Sequence, residues 1–372
     1  MKQLTLNEQL GFIDNEDTHD VKKFNEEHEL TETIDTVNTL VQSSKRYTVL
    51  SLFAGCGGLD LGFQGGFSSF GHEYSKNNFD IIWANEIEKN AVKTYQNYFG
   101  DHIVCEDVNN IDNDSLPYAD VVIGGFPCQD FSIAGKLQGF TVKRGKLYLQ
   151  MKRVIDAIKP KVFIAENVKN LLVMEKGIVL KTIIEDFKSS GYELYFHLFH
   201  SGDYGVPQNR ERVFIYGVRE DINIVPYLPQ ATNSSESWMT AKEAIDDLWG
   251  KVDDPSIYNH TSKDISRAKF YGDGRKTQGN RRILANKVSP TIRAEHHGNI
   301  EGHYRTFGIE TDVLNWRRLS VRECARIQSF PDSFNFPTSA SSAYKQIGNA
   351  VPPILGWHVA RALYLSLIKE TK

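Results

Sequence analysis

Between residues 47 and 229, short apolar segments alternate with amphipathic ones. Segments 47–53 and 121–124 are rich in β-branched and aromatic residues and lead into glycine-containing turns, a pattern typical of buried strands. Segments 88–99 and 147–158 have the spacing of helices. Further strands are predicted at 79–84, 102–106, 162–166, 192–199 and 212–218, and a further helix at 178–190. This alternation predicts an α/β fold with a doubly wound, mainly parallel sheet.

The rest of the chain differs in composition from this central part. After residue 229 it is rich in Gly, Asn, Ser, Arg and Lys, and only 241–249 is clearly helical until helices return at 321–328 and 352–368. The first residues are acidic and predict a partly disordered extension with one short helix at 33–41. We therefore predict four parts: an acidic extension (1–46), a catalytic domain (47–229), a smaller loop-rich domain (230–342) and a C-terminal segment that returns to the catalytic domain (343–372).

Charge and composition exclude several classes of protein. The net charge of −4 over 372 residues combines −7 in residues 1–40 with +3 in the remainder, so the body is mildly basic and permits a polyanionic partner. No run of eighteen apolar residues and no apolar leader occurs, so we expect a cytoplasmic protein without a membrane partner. The four cysteines form no C-x-x-C pair, so neither a disulfide framework nor a zinc cluster is indicated.

A glycine-rich turn follows the first predicted strand. Residues 53–62 (F-A-G-C-G-G-L-D-L-G) would let backbone N–H groups approach a ligand, but Asp60 replaces the last glycine of the dinucleotide fingerprint, which favours a nucleoside-type ligand. Glu86 and Asp107 end the next two strands, where carboxylates can bind ribose hydroxyls and an adenine amino group. The turn could instead serve packing, and each acid could cap a helix. Together they predict an adenosine-containing cofactor.

Cys128 follows a strand that must stop. The strand at 121–124 runs into Gly124-Gly125-Phe126-Pro127, and this places the cysteine at the carboxyl edge of the sheet, where open α/β folds bind ligands. The polar, basic segment 131–145 comes next and predicts a mobile loop. The alternative is a small buried hydrophobe, which most free cysteines are. The position after proline at a strand end favours a chemical role.

Three more charged residues lie beside predicted strands. Glu166 ends the strand that follows Cys128, where partial burial would raise the pKa of its carboxyl and allow proton donation; it could also be a cap. Arg210 and Arg212 are two residues apart on an extended segment and would point the same way to hold a carbonyl oxygen or a carboxylate. The alternative for both arginines is a solvated run of charge.

Six blocks in this order resemble the DNA (cytosine-5)-methyltransferase family of the bacterial restriction-modification type. The resemblance spans about residues 47–368. The blocks are F-A-G-C-G-G-L (53–59), G-G-F-P-C-Q (124–129), A-E-N-V (165–168), Q-N-R-E-R (208–212), R-R-L-S-V-R-E-C-A-R-I-Q-S-F-P-D (317–332) and Q-I-G-N-A-V-P-P (346–353).

The resemblance implies a reaction and its catalytic residues. The substrate would be a cytosine flipped out of double-stranded DNA, and the methyl donor S-adenosyl-L-methionine, bound by an S-adenosylmethionine-dependent methyltransferase fold. Cys128 matches the nucleophile that adds to carbon 6, and Glu166 matches the acid that holds ring nitrogen 3 and the amino group. Arg212 matches the arginine that holds the cytosine oxygen, with Arg210 in support.

The resemblance also assigns binding residues. The cofactor would contact Phe53, Gly55, Gly57, Leu59, Glu86, Ile87, Asp107, Val108, Pro127, Leu147, Asn349 and Val351. The loop at 131–145 would close on DNA, with contacts from Gln129, Ser132, Lys136 and Arg144. Residues 230–319 would recognise the target, with phosphate or guanine contacts from basic residues that include Arg275, Arg281 and Arg293. The adjacent His296 and His297 lack further ligands, so no metal is predicted.

Partners and alternatives complete the predictions. We expect a monomer that protects DNA from a cognate restriction endonuclease acting on the same site without a stable complex. One alternative is a transfer-RNA methyltransferase, although that branch of the family usually lacks so long a recognition region. A DNA-binding protein with an inactive fold is opposed by intact Cys128, Glu166 and Arg212, and a nicotinamide-dependent oxidoreductase by the missing fingerprint glycine. No code relates the recognition region to a DNA sequence.

Overall fold

The computed structural model describes residues 23–41, 43–127, 146–265, 282–294, 303–304 and 317–369. Seven strands form the central sheet: β1 (Tyr47–Leu52), β2 (Phe79–Glu86), β3 (Ile103–Cys105), β4 (Val121–Gly124), β5 (Val162–Val168), β6 (Tyr192–His200) and β7 (Glu211–Arg219). Their order across the sheet is β3-β2-β1-β4-β5-β7-β6. The chain thus builds outward from β1 in one direction and from β4 in the other, which creates a topological switch point between these two strands.

The sheet is parallel apart from one strand. β7 lies antiparallel between β5 and β6, whereas the pairs that β1, β2, β3, β4 and β5 make with one another are parallel. Every residue of β4 (V-V-I-G) is buried, as expected for a strand covered on both faces. The prediction of a mainly parallel α/β sheet is confirmed, and the predicted elements of residues 47–229 lie within two residues of the observed bounds.

Helices cover both faces of the sheet. They are α1 (Gly58–Gln64), α2 (Lys89–Phe99), α3 (Lys146–Ile158), α4 (Ile178–Lys188), α5 (Ala241–Ile245), α6 (Val321–Ile327), α7 (Ala340–Asn349) and α8 (Pro353–Lys369). Because successive strand residues point to opposite faces, Ile123 packs with α1 and α8 in one apolar cluster and Val122 with α3 and α4 in the other. The two clusters therefore lie on opposite faces of the sheet.

The C-terminal helix is a core element. Residues Ala340–Lys369 are long and apolar enough to cross a membrane, but 94% of their most apolar window is buried inside the protein. α8 packs against α1, the helix that the glycine turn opens. The last segment of the chain therefore supports the beginning of the catalytic region.

The described parts of residues 230–342 share a core with the sheet. Ala241, Ile245, Ile283 and Leu319 belong to the same apolar cluster as β1 and β4. The helix predicted at 241–249 is shorter than expected, because the α-helical segment ends at Ile245 and a 3₁₀ turn, Asp246–Leu248, follows.

The predicted helix at 33–41 is wrong. Thr33–Ile34 forms a short strand beside Leu228–Pro229, and Asp35 then accepts hydrogen bonds from the backbone N–H groups of Val37 and Asn38. Such a side-chain bond offers the backbone an alternative to a helix. A helical turn lies instead at residues 23–28, and buried Leu30 bonds to the edge strand β6. The described part of residues 1–46 thus contacts the body of the protein through Leu30 and Thr33–Ile34.

The crossing of α1 and α8 depends on two glycines. A Cβ atom added at Gly62 would lie 2.5 Å from the carbonyl carbon of Gly356. We expect Gly62→Ala to lower the free energy of unfolding by about 1–3 kcal/mol because the helices must separate. Urea denaturation followed by circular dichroism measures this change. Gly250→Ala is the matched control, since nothing lies within 4 Å of its added Cβ, and equal midpoints for the two variants would contradict the prediction.

Candidate active site

The switch point brings the predicted catalytic and cofactor segments to one edge of the sheet. β1 and β4 are neighbours and run parallel, so the glycine turn after β1 and the residues after β4 leave the sheet side by side. β5 carries Glu166 near the same edge. Because β7 runs the opposite way, its first residues reach this edge too: Arg212 pairs with Val168, and Phe214 with Glu166.

Glu166 and Arg212 form a buried ion pair. The Arg212 Nε atom lies 3.0 Å from Glu166 Oε1, and both side chains are largely withdrawn from water. Burial raises the pKa of the Glu166 carboxyl, although the positive charges of Arg212 and Arg210 oppose the shift. Burial lowers the pKa of the Arg212 guanidinium, and Glu166 offsets this. A carboxyl whose charged form is disfavoured by burial can act as a proton donor.

The residues after β4 are fixed against this pair. A Cβ atom at Gly125 would lie 2.9 Å from Glu166 Oε2, so glycine gives the carboxylate its room. Buried Asn167 donates from Nδ2 to the Phe126 carbonyl oxygen at 2.9 Å, and its Oδ1 accepts from the Val168 N–H. The sequence reasoning gave Asn167 no role, although its position directly after Glu166 in A-E-N-V was a usable signal.

The predicted nucleophile lies outside the described residues. The described chain stops at Pro127, which is exposed at the sheet edge directly before Cys128. The other predicted residues outside the described part are Gln129, Ser132, Lys136, Arg144, Arg275 and Arg281. Their roles stay predictions.

The glycine turn has a backbone that few sequences can adopt. Phe53, Gly55 and Gly57 have φ values of 54°, 57° and 88°, in the left-handed region. Phe53 is not glycine, and strain of this kind at a non-glycine residue concentrates at functional sites. A Cβ atom at Gly55 would meet no atom within 4 Å, so open space lies beside this backbone. Such a cradle fits a nucleoside ligand held through backbone groups.

Glu86 and Asp107, the two acids predicted to bind the cofactor, have different hydrogen-bond partners. Glu86 Oε2 accepts from the Gly55 N–H at 2.9 Å, and Oε1 from the Glu88 N–H, so its carboxylate is fixed beside the turn. The neighbouring Ile87 is an exposed apolar side chain. Asp107 Oδ1 caps a 3₁₀ turn through the Asn109 N–H. Oδ1 of Asp107 therefore caps a turn, as the alternative interpretation of this residue expected.

The remaining predicted cofactor residues approach the turn from several segments. A Cβ atom at Gly58 would lie 2.4 Å from the Val351 carbonyl oxygen, which shows that the C-terminal turn closes over the glycine turn. Asn349 is exposed at the end of α7, and Leu147 packs at the start of α3. The side chains of Leu59 and Val108 lie in the core.

A buried carboxyl under the glycine turn was missed by the sequence reasoning. Asp60 accepts from the Tyr95 hydroxyl at 3.0 Å, and the same hydroxyl lies 3.0 Å from His102 Nε2. Burial raises the pKa of Asp60 to about 6. A lone Asp in the first turn of a helix gives no local signal that distant aromatic residues enclose it.

Arg210 and Arg212 do not bind the same group, as the predicted common orientation would require. Its guanidinium is buried and donates to the carbonyl oxygens of Ile292, Gly348 and Ala350 at 3.2, 3.0 and 2.9 Å. Arg210 precedes β7, between that strand and the short strand Gln208–Asn209, so strand alternation does not hold there. The expectation that both arginines hold the same oxygen or carboxylate is corrected, because Arg210 bonds to three backbone carbonyl oxygens. A supporting role of Arg210 for Arg212 stays a prediction.

The comparisons with known proteins identify the family. The model of the C-5 cytosine-specific DNA methylases matches residues 47–365. The chain belongs to this family. It is therefore a DNA cytosine-5-methyltransferase, and members of the family use S-adenosylmethionine as methyl donor. The resemblance inferred from the six blocks is confirmed.

Individual relatives cover nearly the whole chain. It is 36% identical to the Type II methyltransferase M.NgoFVII of Neisseria gonorrhoeae, over 85% of this chain and 86% of that protein. It is 35% identical to M.FnuDI of Fusobacterium nucleatum, over 87% of this chain and 96% of that protein. The Dnmt2 methyltransferase of S. pombe, at 15% identity, covers 88% of this chain and all of that one with a TM-score of 0.61, which shows the fold.

Gly125 offers a test of the space around Glu166. In Gly125→Ala the new methyl group would push Oε2 away while Arg212 holds Oε1, so we expect the rate of methyl transfer to fall about 10- to 100-fold. Cofactor affinity should change little, because a Cβ atom at Gly125 contacts atoms of Glu166 and none of the glycine turn. Single-turnover rates and calorimetric titration with S-adenosylhomocysteine separate the two effects. Gly250→Ala again serves as control, and an unchanged rate in Gly125→Ala would refute the prediction.

Proposed function

We propose that this methyltransferase methylates carbon 5 of a cytosine flipped out of one specific double-stranded DNA sequence, through a covalent bond between Cys128 and carbon 6. The observation that carries the proposal is the buried Glu166–Arg212 pair at the sheet edge, next to the segment that ends at Pro127. Carbon 5 of cytosine is a weak nucleophile, so the ring must be activated before it can accept a methyl group.

The residues divide the chemistry among them. The Cys128 thiolate adds to carbon 6, while Glu166 donates a proton to ring nitrogen 3 and Arg212 donates hydrogen bonds to the carbonyl oxygen on carbon 2. The electron pair of the 5,6 double bond then makes carbon 5 nucleophilic. When bound, S-adenosylmethionine would supply the methyl group from its sulfonium sulfur, with the neutral thioether S-adenosylhomocysteine as the leaving group. A base finally removes the carbon-5 proton, the bond between carbon 6 and the Cys128 sulfur breaks, and the thiolate is regenerated. Ring nitrogen 3 returns its proton to the Glu166 carboxylate.

The cofactor assignment rests on the cradle at the end of β1. The left-handed turn, the carboxylate of Glu86 fixed to Gly55 and the exposed Ile87 match the ribose and adenine of an adenosine cofactor. The turn at Asn349 and Val351, near the other end of the chain, closes over this cradle and is here called the cofactor wall. Pro127 lies at the end of the same edge and links this cradle to the catalytic cysteine.

We infer that DNA, not RNA, is the substrate. The family model describes DNA methylases, and the relatives at 33–36% identity are named Type II methyltransferases. From these names we propose that methylation protects DNA against a restriction endonuclease that cleaves the same sequence without a stable complex with this chain. We propose a cytoplasmic monomer.

The first experiment tests the reaction and its covalent step. Wild type incubated with S-adenosylmethionine and plasmid DNA should methylate one recurring sequence, read by bisulfite sequencing, and Cys128→Ala should methylate none. Cys105→Ala is the control, because Cys105 is a free, exposed thiol on β3 and should keep full activity. With 5-fluorocytosine at the target, elimination is blocked, so wild type and Cys105→Ala should stay bonded to DNA on a denaturing gel. A covalent complex with Cys128→Ala would refute the assigned nucleophile, and methylation of RNA in place of DNA would support the alternative substrate.

The pH dependence of the rate tests Glu166. Burial raises its carboxyl pKa above the ordinary value, so the protonated fraction is complete at low pH and falls as pH rises through the folded-state pKa. The single-turnover rate should therefore have an alkaline limb due to Glu166 and an acid limb due to the Cys128 thiol. Glu166→Gln cannot donate a proton and should react about 10²–10⁴-fold more slowly without that alkaline limb. The same alkaline limb in both proteins would exclude Glu166 as its origin.

A further inference from the structure

Three buried polar side chains join parts of the chain that are far apart in sequence. Gln208, Arg210 and Gln328, here called the carbonyl clamp, are all nearly inaccessible to solvent. They lie between residues 291–294, in the predicted recognition region, and the turn 348–351, in the predicted cofactor wall. Burying a polar side chain costs free energy unless it forms hydrogen bonds. The hydrogen-bond partners of these three side chains therefore indicate which segments the fold holds in position.

One side of the clamp holds the peptide groups of Ile292. Arg210 Nη1 donates to the Ile292 carbonyl oxygen at 3.2 Å, and the Ile292 N–H donates to Gln208 Oε1 at 3.1 Å. Gln208–Asn209 also pairs in parallel with Ser289–Pro290. The next residue, Arg293, is exposed and carries the predicted DNA contact. The hydrogen bonds from Arg210 and Gln208 to Ile292 thus fix the backbone next to the exposed Arg293.

The other side of the clamp holds the turn at the cofactor wall. Arg210 Nη2 donates to the carbonyl oxygens of Gly348 and Ala350 at 3.0 and 2.9 Å, and Gln328 Nε2 donates to Ala350 as well. A Cβ atom at Gly348 would lie 2.3 Å from the carbonyl carbon of Arg293, so the two segments are in direct backbone contact. One guanidinium therefore bonds to both segments.

We propose that Arg210 is a positioning residue that couples DNA binding by residues 291–294 to cofactor binding beside residues 348–351. The inference rests on the proposed function for the identity of both ligands. The Arg210 guanidinium keeps its three hydrogen bonds to Ile292, Gly348 and Ala350 only when both segments are in register, so displacement of one segment destabilises the other. A ligand that fixes either segment then favours the arrangement that the second ligand needs. Linkage makes the effect reciprocal.

Calorimetry on the full chain measures this coupling. S-adenosylhomocysteine, which cannot donate a methyl group, is titrated into the protein alone and into its complex with a duplex that carries the sequence mapped by bisulfite. We expect the duplex to tighten cofactor binding by a factor within about 5–150 in the wild type. In Arg210→Lys, whose ammonium lacks the planar fork, this factor should fall to within about 2. A scrambled duplex controls for nonspecific binding.

Arg322→Lys is the matched control variant. Arg322 is as buried as Arg210 and also donates to three backbone carbonyl oxygens, those of Tyr258, Pro331 and Phe334. These partners belong to neither residues 291–294 nor residues 348–351. The variant should therefore lose stability as Arg210→Lys does and yet keep the wild-type coupling factor. Loss of coupling in both variants would mean that general loosening, and not the clamp, is responsible, and would overturn the inference.

A second variant covers the case in which Arg210→Lys does not fold. Gln208→Met keeps Arg210 and removes the acceptor of the Ile292 N–H, so it should also reduce the coupling factor. An unchanged factor in a folded clamp variant overturns the inference, as does a wild type that methylates DNA but shows no coupling. A wild type that binds neither DNA nor S-adenosylhomocysteine would overturn the proposed function together with it.

Discussion

The reversal of β7 is the constraint on which the catalytic site depends. In a sheet of parallel strands, a side chain near the start of a strand lies at the edge opposite the ligands. Because β7 runs antiparallel between β5 and β6, Arg212 near its start meets Glu166 near the end of β5. A parallel β7 would leave Glu166 without its cation in a buried position. An uncompensated buried carboxylate would then favour its neutral form even more strongly.

The ion pair balances two needs of the proposed chemistry. Burial raises the carboxyl pKa and favours a proton on Glu166, whereas Arg212 at 3.0 Å opposes the shift and fixes Oε1. The second oxygen, Oε2, faces the place where Gly125 has no side chain. One oxygen is thus held and the other has room. Asn167 ties the Phe126 carbonyl to β5, so the chain leading to Cys128 and the acid on β5 share one rigid support.

Much of the fold and part of the site could be predicted from the sequence. Short continuous runs of apolar and β-branched residues revealed the strands, and their ends gave Glu86, Glu166 and the turn before Cys128 because these signals are local. Arg210 was misplaced because the break between Gln208–Asn209 and β7 interrupts strand alternation without a local signal. The helix expected at 33–41 failed because Asp35 bonds to the backbone and the segment pairs with a distant strand. The buried environment of Asp60 was missed because distant partners, Tyr95 and His102, define it. Asn167 was missed although its position next to Glu166 was a local signal.

Neither the strand order nor the closure of the site is set locally, because both depend on packing between segments that are far apart in sequence. Gly62 and Gly356 let α1 and α8 touch along their backbones, and this contact sets the start of α8 beneath the glycine turn. The turn before α8 therefore reaches Gly58 through the Val351 carbonyl and also meets the Arg293 backbone at Gly348. A single short turn thus contacts both the cofactor cradle and the segment predicted to read DNA. Because interiors are close-packed, a shift of that turn cannot be absorbed locally and must be felt at both surfaces.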